Sequence, residues 1–114
     1  DLNIVLENFE IFKKYCKKYN RNLSVMVNPM RNNWRETSTF VDFCNTHNVD
    51  LWFNTIMYPK HLSIWNLPSD KLNHIYETMQ DQLSHISSTS KNYKVFDHLV
   101  NKQISNWLLD SYVN

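Results

Sequence analysis

Phe12-Lys-Lys-Tyr-Cys-Lys-Lys-Tyr-Asn20 is answered 28 positions later by Phe40-Val-Asp-Phe-Cys-Asn-Thr-His-Asn48. Phe12, Tyr15, Cys16, Asn20 and Leu23 thus recur as Phe40, Phe43, Cys44, Asn48 and Leu51. In each copy the apolar side chains fall three and four residues apart, the spacing of one helix face. Each copy ends on an Asn, which tolerates the left-handed conformation that stops a helix. A short apolar run follows: Leu23-Ser-Val-Met-Val-Asn28 in the first copy, Leu51-Trp-Phe-Asn-Thr-Ile-Met57 in the second. A repeated helix–turn–strand unit of this length is one step of a parallel α/β sheet or a β/α barrel. Two strands neither close a barrel nor fill a doubly wound sheet, so the chain reads as a piece of a larger assembly.

The flanking sequence completes an α-β-α-β-α-α order with two parallel strands. Leu2, Val5, Leu6, Phe9, Phe12, Cys16 and Tyr19 predict an amphipathic first helix. Strands are expected over Leu23–Asn28 and Leu51–Met57, each stopped by a proline, Pro29 or Pro59, that lacks a ladder N–H. Thr37 or Ser38 is expected to cap the second helix and Ser69 the third, with Leu72, Ile75, Tyr76, Met79, Leu83 and Ile86 on its apolar face. A polar Ser84–Ser90 break precedes a last helix from Asn92 onward. Residues 1–90 are read as late β/α units and residues 91–114 as a C-terminal helix. The intervening Leu62-Ser-Ile-Trp-Asn-Leu67 segment is too apolar to lie in water and is expected to pack on something.

Composition excludes several classes. The 114 residues include no glycine, so neither a phosphate-cradling loop nor a dinucleotide fingerprint exists here. A net charge of +1 lacks the strongly basic balance of a dedicated nucleic-acid binder, and Lys13, Lys14, Lys17 and Lys18 read as a solvated helix face. No run reaches the roughly 18 apolar residues of a membrane span. A cytoplasmic protein without nucleic-acid or membrane partners is therefore expected, with Cys16 and Cys44 as reduced, packed thiols.

In parallel α/β folds chemistry gathers where strands end and loops begin. Asn28 to Asn33 and Tyr58 to His61 are those segments here. They offer amide, guanidinium, phenol, ammonium and imidazole groups without a carboxylate. His61 is the one acid–base candidate among them, and a small hydrolase or transferase using it is one possible reading. Strand alternation puts Ser24, Met26 and Asn28 with Trp52, Asn54 and Ile56 on a mixed face, which in a barrel points to the lumen. Met26, Asn28, Arg31, Asn54, Tyr58 and His61 are the expected substrate- or cofactor-side lining. No His-x-x-x-His spacing suggests a zinc site.

Asn28-Pro-Met-Arg-Asn-Asn-Trp-Arg-Glu36 and Tyr58-Pro-Lys-His-Leu-Ser-Ile-Trp-Asn-Leu-Pro-Ser69, taken with the two repeated helix ends, resemble the C-terminal part of certain radical S-adenosylmethionine (radical SAM) proteins. The likeness runs from about Asn8 to Ile75. It implies that the two strands are the last units of a partial (β/α) barrel. It also implies a parent protein that holds a 4Fe-4S cluster and S-adenosylmethionine. The cluster-binding Cys-x-x-x-Cys-x-x-Cys of that family is absent from this chain. The expected role is a non-catalytic part of the substrate-side wall, binding no cofactor alone and partnered by the rest of the parent chain or, through open strand edges, by another copy. The alternative is a small α/β protein-interaction module with no enzymatic role, docking a partner on the Leu62–Leu67 loop.

Overall fold

The computed structural model describes the backbone of residues 2–113 and the side chains of residues 7–113. The elements are α1 (Leu2–Lys18), β1 (Ser24–Val27), α2 (Thr37–Thr46), β2 (Asp50–Phe53), α3 (Ser69–Ser84), α4 (Tyr93–His98) and α5 (Ser105–Val113). A 3₁₀ turn, Trp34–Glu36, leads into α2, and a π-helical stretch, Leu99–Ile104, joins α4 to α5.

The internal repeat is reproduced bond for bond. Asn20 and Asn48 have φ of 53° and 55°. After α1, the Arg21 N–H donates to the Cys16 carbonyl at 2.7 Å and the Asn20 N–H to that of Lys17 at 3.4 Å. After α2, Val49 donates to Cys44 at 2.9 Å and Asn48 to Asn45 at 3.2 Å. These paired bonds are the two closures of a Schellman motif, with Asn in the place where glycine is usual. The turn then delivers each chain into a strand, and β1 and β2 pair in parallel.

Ladder partners are Ser24 with Asp50, Val25 with Leu51, Met26 with Trp52 and Val27 with Phe53. Repeat-equivalent positions, such as Leu23 and Leu51, are therefore offset by two residues in the ladder. An even offset keeps side chains on their own face, because strand alternation has a period of two. Both strands are shorter than expected. The Asn54 N–H still donates to the Val27 carbonyl at 3.0 Å, and beyond it the chain turns away.

Among the described residues, all the packing lies on one side of this sheet. Leu51 and Val27 point inward against a core of Val41, Cys44, Leu72, Met79, Phe96, Leu99, Val100 and Ile104. Each of these large side chains, removed from water, contributes about 1.5–3 kcal/mol. The core draws on both residues 1–90 and the C-terminal helix. α3 presents Leu72, Ile75, Met79 and Leu83 as its spacing predicts. The π-helical stretch carries Asn101, whose Oδ1 accepts from Tyr76 and Gln80 of α3 and whose Nδ2 donates to Asp97 at 2.7 Å. The Ser105 hydroxyl donates to the Asn101 carbonyl at 2.7 Å, giving that widened turn a partner.

Several expectations are corrected. Thr37 and Ser69 open their helices from inside and do not cap them: the Thr37 hydroxyl donates back to the Trp34 carbonyl at 2.7 Å, and Ser69 Oγ accepts from Ser111. Cys44 is fully buried, whereas Cys16 is only half-buried. Phe12 and Tyr19 are exposed, as are Ile11 and Tyr15. The side chains of Leu2, Val5 and Leu6 lie outside the described residues. The Leu62–Leu67 segment packs on the protein's own core as expected, with Ile64 buried and Leu67 against the cluster.

Candidate functional site

Because the strands are parallel, both strand-to-helix loops leave from the same end of the sheet, and Arg31 fastens one to the other. Its backbone N–H donates to the Leu62 carbonyl at 3.0 Å, its Nε to the Ser63 carbonyl at 2.7 Å, and a terminal guanidinium nitrogen to Asn66 Oδ1 at 2.9 Å. The Ser63 hydroxyl, buried beneath this clasp, donates to the Lys60 carbonyl at 2.9 Å. Trp65 Nε1 donates to the Met57 carbonyl at 3.1 Å and holds the far side of the longer loop. In the shorter loop Asn33 bridges the Asn28 carbonyl and the Met30 N–H. The result is a rigid collar at the strands' C-terminal ends.

The expected lining residues divide around this collar. Arg31 is part of it. Asn28 and Asn54 stand at its base with exposed side chains, and Tyr58 and His61 lie exposed on the longer loop, Tyr58 at 73%. Met26 lies on the outer sheet face directly across from Trp52, the two at 63% and 54% exposure. No helix covers that face among the described residues. It is a bare patch of thioether, indole and amide groups, bounded at one end by the collar.

The opposite end of the sheet is basic. Lys13, Lys17, Arg21, His47 and Lys91 surround a pocket of about 360 Å³, with Asp50 3.2 Å from the Lys91 ammonium. Here α1 meets the rest of the protein: Phe9 packs edge-on against Phe43 at 4.9 Å and against His47 at 5.2 Å.

Sequence reasoning passed over a buried polar side chain that ties the C-terminal helix to the sheet. Asn92, 2% exposed, donates from Nδ2 to the Val49 carbonyl at 2.9 Å and to Asn45 Oδ1 at 3.0 Å, while its Oδ1 accepts from the Leu51 N–H at 2.8 Å. Its backbone N–H also donates to Asn45 Oδ1. A helix-start Asn is ordinary in sequence, and nothing local shows that its amide reaches a strand 41 residues away.

The donor set does not suit an iron–sulfur cluster. Cluster ligation leaves one iron open only when three thiolates hold the others, and this chain has two cysteines in all. They sit on separate helices, and burial pushes the Cys44 thiol pKa up, against the thiolate that ligation needs. No group of three or more His, Cys, Asp or Glu side chains converges among the described residues, and no helix there is long and apolar enough to cross a membrane. The chain matches no protein-family model, no curated protein and no solved structure.

Proposed function

We propose that this chain is the C-terminal portion of a radical SAM protein, forming part of the substrate-side wall of a partial (β/α) barrel and contributing no cluster ligand. The bare outer face carrying Met26 and Trp52 is the observation that bears most weight. A parallel sheet is ordinarily covered on both sides, and here only one side is. The bare side is also the one that alternation assigns to a lumen. Three further features support the reading. The helix–turn–strand unit repeats at the level of individual hydrogen bonds. The two-residue offset between repeat partners and ladder partners is in the range that strand tilt in a barrel requires. Finally, Tyr15 and Tyr19 at the end of α1 are exposed, while their counterparts after 28 residues, Phe43 of α2 and His47 just beyond it, are covered by Phe9 of α1. A preceding unit of the parent would cover α1 in the same manner.

The deciding experiment is to read the coding sequence upstream of Asp1 and purify the longest product anaerobically with iron and sulfide. A Cys-x-x-x-Cys-x-x-Cys within about 200 residues upstream, the rough size of the earlier barrel units, is expected. So is 4Fe-4S absorbance with reductive cleavage of S-adenosylmethionine. A native start at this point, or an upstream region without the three cysteines, refutes the proposal. The second reading is an α/β interaction module with no enzymatic role. It is favoured by the open groove beside β2.

A further inference from the structure

The two edges of the sheet differ. Asn92 does at the outer edge of β2 what a neighbouring strand would do. In a parallel ladder one partner residue donates to the carbonyl before its opposite residue and accepts from the N–H after it. The Asn92 side-chain amide makes that pair of bonds around Asp50, to the Val49 carbonyl and the Leu51 N–H. The next outward-facing groups are the Leu51 carbonyl with the Phe53 N–H, then the Phe53 carbonyl with the Thr55 N–H. None of them has a backbone partner among the described residues. Those of Leu51 and Phe53 lie along a groove of about 530 Å³ between β2 and the flank of α4, and Thr55 follows just beyond it.

We infer that this groove binds an extended acidic peptide from a partner protein, which adds to β2 as a parallel strand continuing the rung begun by Asn92. The wall is apolar, with Phe53, Val95 and Leu99 against which alternate peptide side chains pack. The rim is cationic. Its unpaired cation is Lys94, exposed with no ion-pair partner among the described residues, while Lys91 stands at the Asn92 end beside Asp50 and the His98 imidazole lies exposed one turn from Lys94. Gln103 lines the same groove. The open rungs accommodate about four residues at roughly 3.3 Å each. Backbone pairing sets affinity, the wall selects apolar side chains on one face, and the rim selects carboxylates. The inference rests on the β2 edge alone and stands whether or not the chain belongs to a radical SAM parent.

The probe is a blocked peptide of alternating valine and glutamate, with a valine–lysine peptide as its counterpart, titrated into the 114-residue chain. Amide hydrogen exchange is followed by NMR. The acidic peptide is expected to protect the Phe53 and Thr55 amides, to bind at least tenfold more tightly than the basic one, and to weaken with added salt. Lys94→Glu with His98→Glu is expected to cost about tenfold in affinity, from one reversed and one added surface charge, while the Leu51 amide stays protected by Asn92. Should the double variant lose that protection, Lys94→Gln alone decides, with a smaller loss in the same direction. Equal binding of both peptides, or binding without Phe53 and Thr55 protection, overturns the inference. So does concentration-dependent protection of those amides without peptide, which would assign the edge to a second copy.

Discussion

Asn92→Ala is the substitution that most directly tests how the C-terminal helix holds the sheet. The amide it removes is the partner of two buried main-chain groups, the Leu51 N–H at 2.8 Å and the Val49 carbonyl at 2.9 Å. Leu51 is 2% exposed and Val49 4%, so water does not readily replace the lost bonds. An orphaned buried donor or acceptor costs about 1–3 kcal/mol. The two together therefore predict a loss of about 2–6 kcal/mol, a large share of what a small domain has. Urea denaturation followed by far-ultraviolet circular dichroism measures it, and a fall in Tm of roughly 10 °C or more should accompany it. Asn92→Asp is expected to rescue little. Its carboxylate still accepts from Leu51 but meets the Val49 carbonyl and Asn45 Oδ1 with no proton to donate. A loss below about 0.5 kcal/mol for Asn92→Ala, the scatter of ordinary surface substitutions, with Leu51 exchange unchanged, would refute the edge-capping account.

Asn48→Gly should leave stability within a few tenths of a kcal/mol, whereas Asn48→Ala should cost about 1–2 kcal/mol, because only the second forces a Cβ into the left-handed region; chemical denaturation separates them. Arg31→Ala and Arg31→Lys should both speed proteolytic cutting between residues 54 and 68, since an ammonium does not reproduce the fork that spans Ser63 and Asn66. Burial holds the Cys44 thiol pKa above its ordinary 9.0. The neutral buried thiol's contribution is thus full below pH 9 and is lost as pH rises through the folded value, because the unfolded chain ionises first. Stability of the native protein should therefore fall more steeply above pH 9 than that of Cys44→Ala, as denaturation at several pH values will show. Trp52→Thr on the bare face should change the stability of the isolated chain by less than about 0.5 kcal/mol, despite the size of the side chain lost.

Local signals were sufficient for the order of the elements and the parallel pairing of the strands, but not for the strands' short lengths or the π-helical interruption of the C-terminal helix. The 28-residue repeat, the Asn at the end of each unit and the β-rich runs are properties of neighbouring residues, and such signals survive without tertiary context. Helix α3 follows its periodicity, and the parallel arrangement follows from a helix lying between two strands. Met26 and Asn54 were grouped on one strand face by alternation alone, since a period of two is fixed by the chain itself, and both side chains are exposed.

Tertiary structure decided the rest. Capping was misread at Thr37 and Ser69 because the hydroxyls found nearer or better-aligned partners, Trp34 and Ser111. Arg31 was legible as a loop cation but not as a clasp, since its acceptors are carbonyl and amide oxygens more than 30 positions away. The equivalence of Cys16 and Cys44 in sequence did not extend to burial: α2 lies beneath the sheet and the core, while α1 meets the protein mainly through Phe9. Asn92 is the clearest case. A residue's type states which hydrogen bonds it is able to make, and only the packing of the whole chain determines which strand edge it reaches.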